Sequence, residues 1–334
     1  MNVLVTGATT PLGRAIVAQL LASRDVGHVL AVGQERWGPG LPSDGARFTY
    51  ERTDLTRARN VHDLLHGPTR AHGIDTVLHG VLHRAARDRG ERIHAINVEA
   101  TRMLLLGCAR HPGIRRFVLR SGAEVYALRR DEPNLLDEDH PLVFDPAAPQ
   151  WLRDRVEADL LTCAQIAAGP MSIAVLRCAE ILADGIGSQL WDYLGSRVCL
   201  RPLGFDPMIN VLSIEDAVAG IVRALATSAR GVFNLPGFDT LPLSRLIAWS
   251  GRRDVPVPGP LLAPLYWLRT RTVGFAFRYD LNLRRFHLGG VLDGARARAI
   301  LGYEPRHPLV PPVRPAASWA RGGGAAAPAG RPGS

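Results

Sequence analysis

The first half of the chain alternates short apolar runs with longer stretches in which apolar residues recur every three or four positions. Short runs of this kind are typical of buried strands, and the longer spacing is typical of helices that bury one face. The pattern predicts strands at residues 2–6, 28–32, 47–50, 75–79, 116–119 and 172–176. It predicts helices at residues 11–22, 92–110 and 151–167. This alternation predicts an α/β fold with a doubly wound parallel sheet, which binds its ligand at the carboxyl ends of the strands.

Beyond about residue 180 the alternation loosens. Residues 208–235 keep a strand and helix pattern, so we expect them to complete a first domain formed by residues 1–180. Residues 181–207 and 236–315 predict a smaller C-terminal lobe; in the second of these stretches proline, arginine and aromatic residues dominate, which indicates irregular structure. Residues 316–334 are rich in Ala, Gly and Pro and cannot bury enough apolar surface to become ordered, so we expect a disordered tail.

The composition is that of a packed globular protein, with 46% hydrophobic and 21% charged residues. No apolar run reaches the ~18 residues that a membrane helix needs. The first strand begins at once with no basic leader before it, which favours a cytoplasmic protein. The four cysteines are far apart and form no metal-binding or disulfide pattern. They are Cys108, Cys163, Cys178 and Cys199.

The chain contains no lysine, since all 40 basic residues are arginine. This excludes any mechanism that depends on a lysine ammonium group. The net charge of +9 is spread along the sequence without an aromatic-interleaved basic stripe, so we expect no nucleic-acid partner.

The segment from Val3 to Gly13 reads as a strand, a tight turn at Gly7 and a helix start at Pro11. A turn of this kind suits a pyrophosphate, because the bare backbone allows close approach and the N-terminus of a helix attracts an anion. An ordinary strand-to-helix turn without a ligand has the same appearance, so the turn alone does not decide between the two.

Further phrases follow the predicted strands in a specific order. Asp54-Leu55 follows the third strand, Asn97 opens the long helix, and the sequence SGAEVY at 121–126 follows the fifth strand. In this order and spacing, residues 1–310 resemble the extended short-chain dehydrogenase/reductase family, in its NAD-dependent epimerase/dehydratase group. The resemblance implies a Rossmann-type domain with a smaller C-terminal substrate lobe. It also implies a homodimer formed through two long helices, a small-molecule substrate, and NAD or NADP as cofactor.

The resemblance also implies which residues contact the cofactor. Around the pyrophosphate it places Gly7, Thr10, Pro11, Leu12 and Gly13. Beside the adenine it places Asp54 and Leu55, and near the ribose and nicotinamide it places Gly80, Val81 and Asn97. Arg155 stands at the family's lysine position, where its guanidinium could hold a ribose or a phosphate.

Two departures from the family pattern concern cofactor binding. Thr10 replaces the middle glycine of the turn, so its side chain either pushes the dinucleotide outward or offers it a hydroxyl. Gly33 stands at the end of the second predicted strand, without the acidic residue that holds the ribose hydroxyls in many Rossmann domains. Arg36 follows in the next turn, so we expect a weak preference for NADP, although an exposed loop arginine is the simpler interpretation.

The third departure removes the family's acid–base groups. Trp151 stands at the position of the catalytic tyrosine, Arg155 at that of the lysine, and Gly122 at that of the Ser or Thr. An indole N–H donates a hydrogen bond but does not relay a proton near neutral pH. We therefore assign no catalytic residue and expect a binding or regulatory protein.

Two alternatives stay open. The first is an active epimerase, dehydratase or reductase that acts on a sugar-nucleotide, sterol or lipid-like substrate with a substitute proton donor, for which Tyr126, His83 and Glu180 are candidates. The second is a peripheral lipid-binding protein that contacts a membrane surface, because an apolar segment at 261–268 precedes several arginines. A core helix with solvated arginines is the simpler interpretation of that segment.

Overall fold

The computed structural model describes residues 1–36, 38, 40–81, 90–183, 185–273 and 277–309, so His83 and residues 316–334 lie outside the described residues. The strands are β1 Asn2–Thr6, β2 His28–Gly33, β3 Phe48–Arg52, β4 Thr76–His79, β5 Arg116–Gly122, β6 Leu135–Leu136, β7 Ser172–Cys178, β8 Glu180–Ile181, β9 Val198–Pro202, β10 Met208–Leu212, β11 Gly231–Leu235, β12 Asp239–Pro242, β13 Arg253–Val257 and β14 Val291–Leu292.

The helices are α1 Pro11–Ala22, α2 Ala58–His66, α3 Pro68–Ala71, α4 Glu91–His94, α5 Ala100–Arg110, α6 Gln150–Cys163, α7 Gln189–Leu194, α8 Ile214–Ala226, α9 Leu243–Trp249, α10 Gly259–Val273, α11 Tyr279–Leu288 and α12 Ala295–Leu301. A π-helical turn, Ala95–Glu99, joins α4 to α5, so the long helix predicted at 92–110 contains a local widening. Turns of this type inside α-helices are frequently found at functional sites.

Seven strands form one parallel sheet in the order β11-β7-β5-β4-β1-β2-β3. The chain moves outward from β1 in one direction and then returns to β4 on its other side, so the strand order reverses between these two strands. This is the Rossmann-type doubly wound sheet that the sequence predicts. In such a sheet, ligands bind at the carboxyl ends of the strands, beside the reversal.

Helices cover both faces of the sheet, as its near-continuous apolar strands require. On one face α1 packs against α8, and on the other α2 packs against α5, which also contacts α6. The apolar spacing seen in the sequence explains this packing, because Leu12, Ile16 and Leu20 of α1 are all buried in the first core. Leu104 and Leu105 of α5 are buried in the second core.

The C-terminal part of the described chain builds a second lobe with its own core. Its sheets are small, with β12, β10 and β8 in one and β13 and β9 in another. Tyr193, Tyr266, Phe277 and Phe286 form the aromatic centre of this core. The lobe is more regular than the sequence suggests. Strand β10 joins it, whereas α8 and β11 from the same stretch pack on the large sheet.

Candidate functional site

The glycine turn between β1 and α1 lies at the centre of the ligand-binding edge. Gly7 has φ +72°, a left-handed conformation that favours glycine. A Cβ on Gly13 would overlap the carbonyl oxygen of Gly7 and lie 2.8 Å from the Cα of Ala8. These two glycines therefore let helix α1 begin directly against the end of strand β1, with its N-terminus at the sheet edge.

Thr10 closes this turn with its own side chain. Its hydroxyl donates to the carbonyl of Gly7 at 2.8 Å and accepts from the backbone N–H of Gly13 at 3.0 Å. The threonine is thus the N-cap of α1, and its hydroxyl is already engaged within the turn. Pro11 follows as the first helical residue, and the side chain of Leu12 is buried in the core, so only the backbone of Leu12 is available at the edge.

The end of β4 lies close to the glycine turn. A Cβ on Gly7 would lie 3.2 Å from the carbonyl of Gly80 and 3.3 Å from the backbone nitrogen of Val81. The N–H of Gly80 donates to the hydroxyl of Thr6 at 3.1 Å, which ties the ends of the two strands together. The structure therefore brings Gly7, Gly80 and Val81 to one place.

His79, at the end of β4, is a buried structural histidine. Its Nδ1 lies 2.8 Å from the hydroxyl of Thr6 and its Nε2 lies 3.0 Å from the hydroxyl of Thr101, so both ring nitrogens have partners. Burial lowers the pKa of His79 to about 4. The ring is therefore neutral at physiological pH and links β1, β4 and α5.

Asp54 and Leu55 follow β3 at the same edge. The carboxylate of Asp54 accepts from the hydroxyl and the backbone N–H of Thr56, at 2.6 and 3.1 Å, and these bonds lower its pKa. Leu55 is buried in the second core. Asp54 stays part-exposed and charged beside the start of α2.

The sequence interpretation missed a carboxylate at the end of β2. Glu35 folds back so that its Oε2 would lie 2.9 Å from a Cβ on Gly33, and it accepts from the N–H of Gln34 at 3.1 Å. The hydroxyl of Tyr50 donates to the carbonyl of Glu35 at 2.8 Å and holds this loop. An acidic group is therefore present near Gly33, but it comes from two residues further along the chain. Only the direction of its side chain, which sequence does not show, reveals it.

Asn97 lies in the π-helical turn and is fully buried. Its amide lies 3.5 Å from the carboxylate of Asp154 on α6, and that carboxylate also lies 3.0 Å from Nδ1 of His94. The hydrogen bond to Asp154 raises the pKa of His94. Asn97 thus joins the helix before β5 to the helix that carries the family's catalytic positions.

Gly122 stands at the family's Ser/Thr position, and Arg155, at the Lys position, forms an ion pair with Glu124. Nη1 of Arg155 lies 2.9 Å from Oε1 of Glu124, and the arginine side chain is only 2% exposed. A Cβ on Gly122 would overlap Oε2 of Glu124 and lie 2.8 Å from Nη1 of Arg155. The ion pair therefore fills the space that a side chain at position 122 would need.

The neighbouring hydroxyl groups already have buried partners. The hydroxyl of Ser121 donates to Asp159 at 2.6 Å, and Asp159 is paired with Arg177. The hydroxyl of Tyr126 donates to the side chain of Asn234 at 2.6 Å, and burial raises its pKa to about 12. Both hydroxyls are part of buried networks under the sheet edge, and Tyr126 holds its proton tightly.

A pocket of about 500 Å³ separates this edge from the second lobe. Trp151, Glu124, Tyr126 and Glu180 line it, together with residues of α11. The carboxylate of Glu180 accepts from the hydroxyl of Ser188 and from a backbone N–H of α7, and it forms an ion pair with Arg285. Arg177, which lies three residues before Glu180 in the sequence, pairs with Asp159 and not with Glu180.

Helix α10 contains the apolar segment at 261–268. Leu262 and Tyr266 are buried in the core of the second lobe, whereas Leu261, Leu265, Trp267 and Leu268 are exposed. The guanidinium of Arg271 lies 4.4 Å from the ring centre of Trp267. Among the described residues, no helix has the length and apolar character needed to cross a bilayer. Contact with a membrane surface stays a prediction.

These residues fit a bound dinucleotide. The strand ends carrying Gly7, Gly80 and Asp54 lie along one edge, and the closely spaced bare backbone at Gly7 and Gly80 leaves room for a pyrophosphate at the N-terminus of α1. Pro11, Leu12, Gly13, Val81 and Leu55 lie in the same segments, while the side chains of Asn97 and Arg155 contact other parts of the protein.

The sequence profile of the NAD dependent epimerase/dehydratase family matches residues 3–235, which is most of the chain. The chain therefore belongs to this family, as the sequence resemblance indicates.

Two relatives match nearly the whole chain. A 3-diazoavenalumate denitrifying reductase from a Streptomyces species is 28% identical over 321 residues, covering 92% of this chain and 97% of the reductase. An uncharacterized protein of Mycobacterium tuberculosis is 29% identical over 311 residues, covering 91% of this chain and 80% of that protein.

Solved structures share the fold. UDP-glucuronic acid 4-epimerase from Bacillus cereus, in complex with UDP-glucuronic acid and NAD, has a TM-score of 0.66 at 17% identity and covers 92% of this chain and 95% of its own. dTDP-glucose 4,6-dehydratase from Bacillus anthracis, in complex with NAD, has a TM-score of 0.67 at 15% identity, with 92% of both chains covered. Both contain NAD, and nothing in these comparisons supports the expected preference for NADP.

Proposed function

We propose that this protein is an NAD(H)-dependent reductase that delivers hydride to an acceptor which needs no proton from the protein. One observation carries the proposal. The Arg155–Glu124 ion pair fills the space beside Gly122, the position at which the family has a Ser or Thr hydroxyl, and Trp151 replaces the family's catalytic tyrosine. These residues offer no proton donor in place of the tyrosine, so a reduction that needs a tyrosine proton is disfavoured. A reduction in which the acceptor loses a leaving group after taking hydride does not need one.

The chain's own residues have clear tasks in such a reaction. The turn at Gly7 and Gly13 and the start of α1 would hold the pyrophosphate, and Gly80 and Val81 would support the ribose. Glu124, which is paired with Arg155, brings a carboxylate to the pocket wall. When bound, NADH supplies the hydride; a diazonium acceptor that receives it is converted into the hydrogen-substituted arene and N₂, which balances atoms and charge without a protein proton.

The Streptomyces relative supports this choice of chemistry. Its name describes a reductase that removes nitrogen from a diazo compound, and the similarity extends over 97% of its length. The family's epimerases and dehydratases act on sugar nucleotides in the solved structures, but those structures are only 15–19% identical to this chain and support the fold alone.

A binding or regulatory role is the second candidate, because the same substitutions would suit a protein that holds a dinucleotide without turnover. An epimerase or dehydratase with a substitute acid has less support. The hydroxyl of Tyr126 is bonded to Asn234 and its pKa is raised to about 12, while Glu180 is held by Ser188 and Arg285.

Turnover separates these candidates. We would follow NADH oxidation spectroscopically with benzenediazonium, with an aryl ketone and with UDP-glucose, and identify the arene product by chromatography. The matched control is Gly13→Val, which places a side chain against the carbonyl of Gly7 and blocks the turn. We expect diazonium reduction by the unmodified protein above the rate of the control, and no ketone reduction. Equal rates for protein and control would overturn the reductase in favour of the binding role.

A further inference from the structure

The walls of the pocket are mainly apolar. Leucine, valine and tryptophan side chains from both lobes surround its volume of about 500 Å³, which is in the usual range for a small-molecule site. The main apolar residues are Leu128, Leu136, Val143, Trp151, Leu152 and Leu292. Trp151 offers an aromatic face, so a flat ring is a suitable partner for this wall.

The charged side chains of the pocket are chiefly acidic. Four carboxylates line it, from Glu124, Asp145, Glu180 and Asp280, against two arginines, Arg284 and Arg285. Each of these two arginines pairs with a lining carboxylate: Arg284 lies 3.8 Å from Asp145, and Arg285 contacts Glu180. Glu124 pairs with Arg155 and Asp280 with Arg278, two arginines that lie outside the lining.

This arrangement disfavours a diphosphate. A pyrophosphate group carries at least two negative charges and is bound in proteins by unpaired arginines, lysines or backbone N–H groups. Among the described residues that line the pocket, both arginines are already paired, so a diphosphate would have to separate Arg285 from Glu180. It would also bring its negative charge close to Glu124 and Asp280, which line the pocket while their arginine partners lie outside the lining.

We infer that the substrate side of the pocket takes a compact aromatic molecule that is neutral or positively charged and carries no phosphate. This inference rests on the proposed function for the identity of the pocket as the acceptor site. It deepens that function by naming the class of acceptor. An aryl diazonium ion belongs to this class, whereas the sugar nucleotides bound by the solved relatives do not.

Equilibrium binding tests the inference without turnover. We would measure calorimetric affinities, with and without saturating NAD, for phenyltrimethylammonium, acetanilide, benzoate and UDP. The first two are cationic and neutral aromatic probes, and the last two carry negative charge. We expect phenyltrimethylammonium and acetanilide to bind at least about tenfold more tightly than benzoate or UDP.

A paired variant shows whether the ion pairs cause this order. Asp145→Asn releases Arg284 toward the pocket, and both side chains of this pair are substantially exposed, so the fold should tolerate the change. We expect benzoate binding to improve by about threefold to tenfold, since a pair with one charge removed leaves a free cation. The control is Asp254→Asn, which releases Arg201 in the same lobe away from the pocket and should change nothing.

The outcomes distinguish this inference from the proposed function. Binding in the expected order without NADH oxidation would support the pocket chemistry and remove the reductase. Tighter binding of UDP than of phenyltrimethylammonium to the unmodified protein would overturn the inference, even if the protein reduces benzenediazonium. Failure of both favoured probes to bind at millimolar concentration would also overturn it.

Discussion

The guanidinium of Arg155 lies 2.9 Å from the carboxylate of Glu124, and both groups occupy the space next to the Cα of Gly122. In the sequence, the glycine and the arginine look like two independent losses of catalytic groups. In the structure they belong to one feature, because a Cβ at position 122 would overlap Glu124 and lie 2.8 Å from Arg155, so both side chains would have to move. The space beside Gly122 is thus filled by a charge pair, in which the arginine is buried and the glutamate is 29% exposed.

Restoring the family's hydroxyl at this position should therefore damage the protein. Gly122→Ser places a Cβ against Glu124 and 2.8 Å from Arg155, so the pair must move apart. We expect the free energy of unfolding to fall by about 1–3 kcal/mol, as for other overpacked interior sites. Urea denaturation measures it, with Gly169→Ser as the control, because no atom lies within 4 Å of a Cβ there. Equal stability of the two variants would show that Glu124 and Arg155 can move apart at little cost in stability.

The two members of the pair should not be equally sensitive to substitution. Glu124→Gln leaves the Arg155 guanidinium, 2% exposed, without its carboxylate, whereas Arg155→Met leaves a Glu124 side chain that is 29% exposed and can be solvated. We expect Glu124→Gln to cost up to about 3 kcal/mol and Arg155→Met less, because Glu124→Gln takes a carboxylate away from a buried guanidinium. Denaturation curves compare them, and Asp139→Asn, from an exposed pair with Arg296, is the control. A larger loss for Arg155→Met would contradict this account.

The large sheet could be predicted from the sequence because the strands of this sheet are buried on both faces and therefore consist of apolar runs. The sequence predicted the glycine turn for a similar reason, since the conformation of Gly7 and the close contact at Gly13 both require glycine. It did not predict what replaces the missing groups. The pairing of Arg155 with Glu124 depends on the directions of two side chains that are 31 residues apart in the sequence. The position of the Glu35 carboxylate beside Gly33 depends on the direction of one side chain within a loop.

The position of Glu35 predicts a preference for NAD, opposite to the preference for NADP suggested by the sequence. Its carboxylate lies beside Gly33 and Thr9, at the edge where a ribose is held in this fold, and it would repel a 2′-phosphate. We expect NAD to bind about tenfold more tightly than NADP, and Glu35→Gln to reduce that ratio. Calorimetric titration with both dinucleotides measures this ratio, and Glu304→Gln, at an exposed carboxylate near the end of the described chain, is the control. Tighter binding of NADP would instead support a role for Arg36.

The exposed face of α10 gives the membrane prediction a direct test. Leu261, Leu265 and Leu268 are spaced along one side of the helix, with Trp267 and Arg271 beside them, an arrangement compatible with insertion into an anionic surface. If that contact exists, co-sedimentation with phosphatidylserine vesicles should exceed that with phosphatidylcholine vesicles, and Leu265→Ser with Trp267→Ser should abolish the difference. Leu135→Ser, at an exposed site outside this helix, is the control. Equal sedimentation with both lipids would remove the membrane hypothesis.

His79 predicts how stability depends on pH. Its pKa is lowered from 6.5 in the unfolded chain to about 4 in the fold, so the unfolded chain binds a proton in this range while the folded protein does not. The free energy of unfolding should therefore fall as the pH drops from about 6.5 toward 4, by at most about 1.4 kcal/mol per pH unit from this residue. Urea denaturation across this range should give a shallower slope for His79→Gln than for the unmodified protein. Histidine NMR spectra at pH 5 provide an independent measurement, because the His79 ring should still be neutral there. A protonated ring at that pH would show that burial does not keep it neutral.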